Sequence, residues 1–163
     1  EGVDLKEKIT FSGSPSRARR VVKPTDVIVS TVRTYLRAIG VVPDISDVVC
    51  STGFCVLRDR TGSLNQEFLS YSVKSEWFIS DVISNSYGVS YPAINSSELV
   101  QLKIVLPPLE EQKEIVKKLK IKIQNFDDQI KLKTKRIDLL KEYAQSLIYS
   151  IVTGKVRLTE NMI

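Results

Sequence analysis

The chain has 163 residues, with 24 Lys+Arg against 19 Asp+Glu, a net charge of +5, two cysteines and no histidine. The lack of His removes the commonest general base, every Ser–His or Cys–His nucleophile arrangement and any His-completed zinc site. Residues 1–106 carry 12 basic and 11 acidic side chains and residues 107–163 carry 12 and 8, so anion binding in the first part must come from local clustering.

In chain order, residues 1–20 are polar, punctuated by Gly13 and Pro15, and predict a loop or basic arm ending in Arg17, Arg19 and Arg20. The opening Glu1–Lys6 has no secretory pattern, and the only Met is Met162, from which a processed or excised piece is expected. Lys23-Pro24-Thr25-Asp26 predicts a turn, since proline presets φ there. Val27–Val32 and Ala38–Val42 predict two strands joined by a short basic, aromatic loop, Arg33-Thr34-Tyr35-Leu36-Arg37. Val48–Leu57 predicts a strand pair or one bent strand around Gly53. It holds Cys50 and Cys55, expected to be buried free thiols of a cytoplasmic protein.

Leu64, Phe68, Leu69, Val73 and Trp77 have helical spacing and predict a helix over 64–80, continuing through 81–86, with Trp77 and Phe78 in the core. Residues 86–92 predict a loop, 94–99 a short turn, and Leu102–Leu106 a strand. No apolar run approaches the ~18 residues a membrane span needs.

After Leu106-Pro107-Pro108-Leu109 almost everything is helical. Apolar residues step by threes and fours: Val116, Leu119, Ile123, Phe126, Ile130, then Ile137, Leu140, Ala144, Leu147 and Ile151, with Lys133 interrupting. That is a coiled-coil seam, and a seam needs a partner helix. Gly154 suits the stop, and Glu110 and Glu111 suit the start. The expected fold is therefore an α/β (α+β) globular domain over 1–106, a long coiled-coil-forming helix over 107–155 and a tail over 156–163.

Phosphate-cradling glycine motifs do not occur, and neither a metal nor a cofactor is expected. Pro43-Asp44 with Glu111-Gln112-Lys113 imitates a metal-dependent nuclease pattern, but Glu111 falls in the first turn of the helix rather than on a sheet. Leu106-Pro107-Pro108-Leu109 imitates an amino-methyltransferase motif with Leu where the amine-binding Asn or Asp would stand. No catalytic residue is assigned.

Four stretches carry a family resemblance: Val21–Ser30, with Thr25 where a glycine is usual before Asp26; Ser51–Arg58; Ile94–Leu109; and Glu110-Glu111-Gln112-Lys113-Glu114-Ile115-Val116. In this order they resemble one half of the specificity subunit of type I restriction–modification enzymes. The resemblance implies a non-catalytic, DNA-reading domain on a conserved helix. It also implies two such units paired through antiparallel helices, each reading one half of a split site, with helix length setting the gap. The implied partners are double-stranded DNA, methyltransferase and restriction subunits, and a second specificity half or second copy. Two other readings stay open: a coiled-coil dimerisation module without DNA readout, and a nuclease dependent on Asp44.

Base readout needs donors on projecting elements, with further cations on phosphates. Arg33, Thr34, Tyr35 and Arg37 are the first candidates: arginine for guanine, Thr34 for a thymine methyl, Tyr35 for stacking. Arg17, Arg19, Arg20 and Lys23 suit phosphates, and Asn85, Ser86, Ser90 and Tyr91 form a second polar loop. Lys117, Lys118, Lys120 and Lys122 are expected on the solvated flank of the helix.

Overall fold

The structure is a computed structural model that describes Val3, Lys8, Thr10 and residues 12–157. Most of the expected loop over the first eleven residues, and positions 158–163 of the expected tail, lie outside the described residues. The chain divides into two compact units, Glu1–Val116 and Lys117–Ile163.

In the first unit five short strands form two antiparallel sheets. β1 (Ala18–Val22) pairs with β4 (Val48–Ser51). β2 (Val27–Ser30) lies between β3 (Ile39–Val41) and β5 (Phe54–Leu57). The expected β2–β3 hairpin is present, with Val27 opposite Val41 and Val29 opposite Ile39. Strand periodicity gives β2 two buried faces. Val27 and Val29 enter the main core with Cys55, Leu69, Val73, Phe78, Val82, Ile94 and Leu99, whereas Ile28 joins Val22 and Val42 in a smaller cluster.

Several expectations are corrected. The basic residues Arg19 and Arg20 lie on β1, not on an arm, because β4 supplies a pairing edge. β4 and β5 are neither one pair nor one strand: Thr52 and Gly53 turn the chain so that each joins a different sheet. The expected single helix is two, α1 (Gln66–Val73) and α2 (Glu76–Ser84), because Ser75 leaves helical geometry and its hydroxyl caps the Phe78 amide. Trp77 is 53% exposed, so only Phe78 of that pair is core. The 94–99 turn contains α3 (Ser96–Leu99), with the Glu98 carboxylate accepting from the Asn95 amide. Residues 102–106 form no strand; Leu102 and Ile104 pack on the core, whereas Val105 and Leu106 face solvent. Alternation alone could not supply them with a ladder partner.

The turn before β2 is as expected and explains itself. Asp26 is 2% exposed and accepts from the Lys23 amide at 2.7 Å and from Arg58 Nε at 2.6 Å, with Arg58 Nη2 on its other oxygen. Thr25 has φ 69, a left-handed conformation that glycine adopts without penalty.

The helix α4 runs from Leu109 to Val152, 44 residues, or ~66 Å at 1.5 Å each. Gly154, at φ 72, stops it as expected, with its amide on the Ile151 carbonyl. Its first turns belong to the first unit, where Val116 and Gln112 are buried. Beyond them the stripe is exposed at Ile123, Phe126, Ile130, Ile137, Leu140 and Ala144 and half-buried at Leu119, Leu147 and Ile151. Lys133, Lys117, Lys118, Lys120 and Lys122 are exposed as well. No helix among the described residues is long and apolar enough to cross a membrane.

Candidate functional site

Between β2 and β3 the chain makes a one-turn 3-10 helix, Thr34–Leu36, flanked by two arginines. Arg33 (φ 52, ψ 53) and Arg37 (φ 54, ψ 37) are both left-handed. That conformation costs a residue with a Cβ on the order of 1–2 kcal/mol, which glycine would avoid. Strain of this kind gathers where a side chain has work to do.

The two candidate loops, more than fifty residues apart in sequence, meet. The Arg33 amide donates to the Pro92 carbonyl at 2.7 Å, and Val32 bridges to Ala93. Tyr87 and Ala93 exchange amide–carbonyl bonds of 2.8 and 2.9 Å, closing the loop into a narrow ring. Gly88 sits in that ring at φ 104, where a Cβ would come within 3.2 Å of the Tyr91 carbonyl. The Arg33 guanidinium lies over the Tyr91 ring, 4.6 Å from its centroid, a cation–π contact. Arg37 forms a fork with Glu76 at the start of α2, 2.6 Å to Oε2 and 2.7 Å to Oε1. The hydrogen bond from Arg37, more than its charge, holds the Glu76 carboxyl below its ordinary range.

Thr34 and Ser86 are joined by a hydrogen bond, Thr34 buried and Ser86 half-buried. Thr34 is 5% exposed, so its methyl does not face solvent. The Ser86 hydroxyl donates to the Val82 carbonyl at 2.6 Å, so in the 2.9 Å bond between the two hydroxyls Thr34 is the donor. Asn85 ends α2, its side-chain amide on the Asp81 carbonyl. Arg33, Tyr35, Arg37, Asn85, Ser90 and Tyr91 are exposed. Sequence reasoning missed Glu76, whose link to Arg37 spans 39 positions and left no local spacing to find, and it missed the exposed Tyr87.

The basic strand lies one turn away. The Arg17 carbonyl accepts from the Thr52 amide, and the carbonyl of the following residue, Gly53, accepts both the amide and the hydroxyl of Thr31 at the foot of the arginine turn. Arg17, Arg19 and Lys23 are exposed and Arg20 half-buried. Arg19 donates to Ser14 and to the Ala18 carbonyl. Burial pushes both cysteine thiols above their ordinary range. Among the described residues no group of three or more His, Cys, Asp or Glu could hold a metal, so the sequence pairing of Asp44 with Glu111 gains no support.

Comparison with known proteins gives the family of the chain. Residues 6–142 match the family model described as "Type I restriction modification DNA specificity domain". The MjaVIII specificity subunit of Methanocaldococcus jannaschii is 27% identical over 148 residues, 85% of this chain and 32% of that protein. The HindI specificity subunit of Haemophilus influenzae is 30% identical over 141 residues, 83% and 29%. Among solved structures, the HsdS subunit from Thermoanaerobacter tengcongensis superposes with a TM-score of 0.68 at 32% identity, covering 87% of this chain and 36% of that one. A chain from a structure described as the "structural basis underlying complex assembly and conformational transition of the type I R-M system" gives 0.70 at 29% identity, covering 94% and 40%. The chain thus spans about a third of the length of these relatives. A small two-sheet α+β unit, a left-handed Thr25 turn before the buried Asp26 and a 44-residue helix entered through Gln112 are carried by a chain that belongs to the type I restriction modification DNA specificity domain family.

Proposed function

We propose that this chain reads one half of a split DNA site for a type I restriction–modification system, contributing recognition rather than catalysis. The reading face is the joined pair of loops, with Arg33 and Arg37 reaching base edges in the major groove and Tyr35, Ser90 and Tyr91 beside them. Arg17, Arg19, Arg20 and Lys23 hold phosphates. Residues 1–106 form the recognition domain and 107–155 the spacer, whose apolar stripe pairs antiparallel with a second copy or second half. Methyltransferase and restriction subunits dock on the assembly.

The observation that carries the reading is the pair of left-handed arginines, strained where glycine would not be, each guanidinium already held by another loop or helix. Binding isotherms at two salt concentrations, on duplexes selected with a methyltransferase subunit and on scrambled ones, test it. Arg33→Ala or Arg37→Ala is expected to relax preference at one or two base pairs, costing ~1–3 kcal/mol on the selected site. Arg19→Ala is expected to weaken all sequences alike and to flatten the salt dependence. Uniform loss from the Arg33 and Arg37 variants would overturn the assignment. Deleting one heptad from α4 removes about 10 Å, so the preferred gap should shrink by about three base pairs at unchanged half-site sequence.

A further inference from the structure

We propose that Glu76 is a specificity-determining positioning residue: its carboxylate fixes the guanidinium plane of Arg37 and so sets which base that arginine reads. The inference rests on the DNA-reading function proposed above and concerns a residue on a different element from either loop.

Three observations carry it. First, both oxygens of Glu76 engage the two Nη atoms of Arg37, a fork that fixes the orientation as well as the distance of a side chain with several free torsions. Second, the pair is open to solvent, with the side chains 49% and 74% exposed, so it adds little to folding stability. Stability therefore does not explain why so defined a geometry is present. Third, Arg37 keeps its left-handed backbone at the C-terminal side of the 3-10 turn, which sends the side chain towards the start of α2 instead of along β3. A guanidinium has five N–H donors, and a carboxylate on the Nη edge occupies two. The others stay available to acceptors on a base edge, now from a fixed plane. Glu76 also has an ordinary reason to stand where it does, since an acid suits the first turn of a helix. That reason needs no partner 39 residues away.

A positioned arginine and a merely neutralised one behave differently towards DNA. If Glu76 only lowered local positive charge, removing it would tighten binding to every sequence. If it positions Arg37, removing it blurs base preference at the positions Arg37 reads.

Selection from a randomised duplex library, using the full chain with its methyltransferase subunit, decides between these. The wild type, Arg37→Ala, Glu76→Gln and the double variant are compared, with melting temperatures as a control for folding. The expected result is that Glu76→Gln lowers preference by about fivefold or more at the same base pairs that Arg37→Ala blurs. The double variant should be no worse than Arg37→Ala alone. Wild-type preference retained in Glu76→Gln, or tighter binding to all duplexes with preference intact, would overturn the inference while leaving DNA reading in place. Blurring at base pairs that Arg37→Ala leaves sharp would overturn it too. A wild-type chain that enriches no sequence would instead remove the DNA-reading function itself.

Discussion

The side-chain oxygen of Gln112 accepts a 2.8 Å hydrogen bond from the main-chain amide of Asn65, joining the entry of α4 to the start of α1. The other end of the same amide donates to the Ser63 carbonyl at 3.0 Å and the Pro107 carbonyl at 2.8 Å. Gln112 is fully buried, and Asn65 is itself the cap of α1, its Oδ1 on the Phe68 amide. One side chain therefore ties together a loop, the start of α1 and the first turn of α4.

Gln112→Ala would take this partner from one amide and two carbonyls at a buried position. It should cost about 2–4 kcal/mol in denaturant unfolding. Gln112→Glu should be no better, because a carboxylate cannot donate to the two carbonyls. A loss below about 0.5 kcal/mol, the range of an ordinary surface change, would show that water replaces the side chain freely.

Thr25 offers the opposite test. Its side chain is exposed, and its φ of 69 is one that glycine adopts freely. Thr25→Gly should stabilise the chain by about 0.5–1 kcal/mol, the relief of left-handed strain less the extra freedom of an unfolded glycine. Thr25→Val should destabilise it. Thermal melts of the two variants should move in opposite directions.

Acid should weaken the fold through two aspartates. Burial of Asp26 would raise its pKa, but the hydrogen bonds from Arg58 and the Lys23 amide, with their charges, outweigh it and leave it below the ordinary 3.8. Asp59 is lowered to about 2 by the amide and hydroxyl of Thr61 and the amides of Leu64 and Gly62. Both are depressed in the folded state, so the unfolded chain binds more protons in this window. The stabilisation is present above pH 3.8 and is lost as pH falls towards about 2. Asp59→Asn should flatten the stability–pH slope between these values, measured by chemical unfolding at each pH.

Self-association should follow from the exposed stripe of α4. Phe126, Ile130, Ile137 and Leu140 are each more than half exposed, an unusual run of apolar surface for a helix with no partner. Light scattering at micromolar concentration should return a dimer, and Leu140→Glu should shift it towards monomer. A monomer that keeps its full helicity would oppose pairing through this stripe.

Much of what is local and periodic was legible in the sequence. The 3–4 stepping from Val116, the Lys23–Asp26 turn, the β2–β3 hairpin and the Gly154 stop all follow from spacing or from one residue's backbone preference. What it hid depends on contacts between distant positions. Nothing near Arg19 indicated that Val48–Ser51 would make it part of a sheet. Polar–apolar alternation over Leu102–Leu106 suggested a strand, yet a strand exists only where another edge can receive it. The candidate site divides the same way. Arg33 and Arg37 stand out as cations in a short loop, whereas Glu76 is one acid among eleven in the first 106 residues until the fold brings it to Arg37.

Thr31 ties its amide and hydroxyl to Gly53 and gives its carbonyl to the Ile94 amide. Thr31 and Ile94 are buried, while Arg33, Tyr35, Ser90 and Tyr91 hang beyond them in solvent. The outward side chains thus share their footing with the apolar interior but are not among its buried residues. Exchanging them leaves β2, β5, α1 and α2 with every buried neighbour they have now. Substitutions at Tyr35, Ser90 and Tyr91 should therefore change the chemistry of this surface while leaving the buried cores as they are.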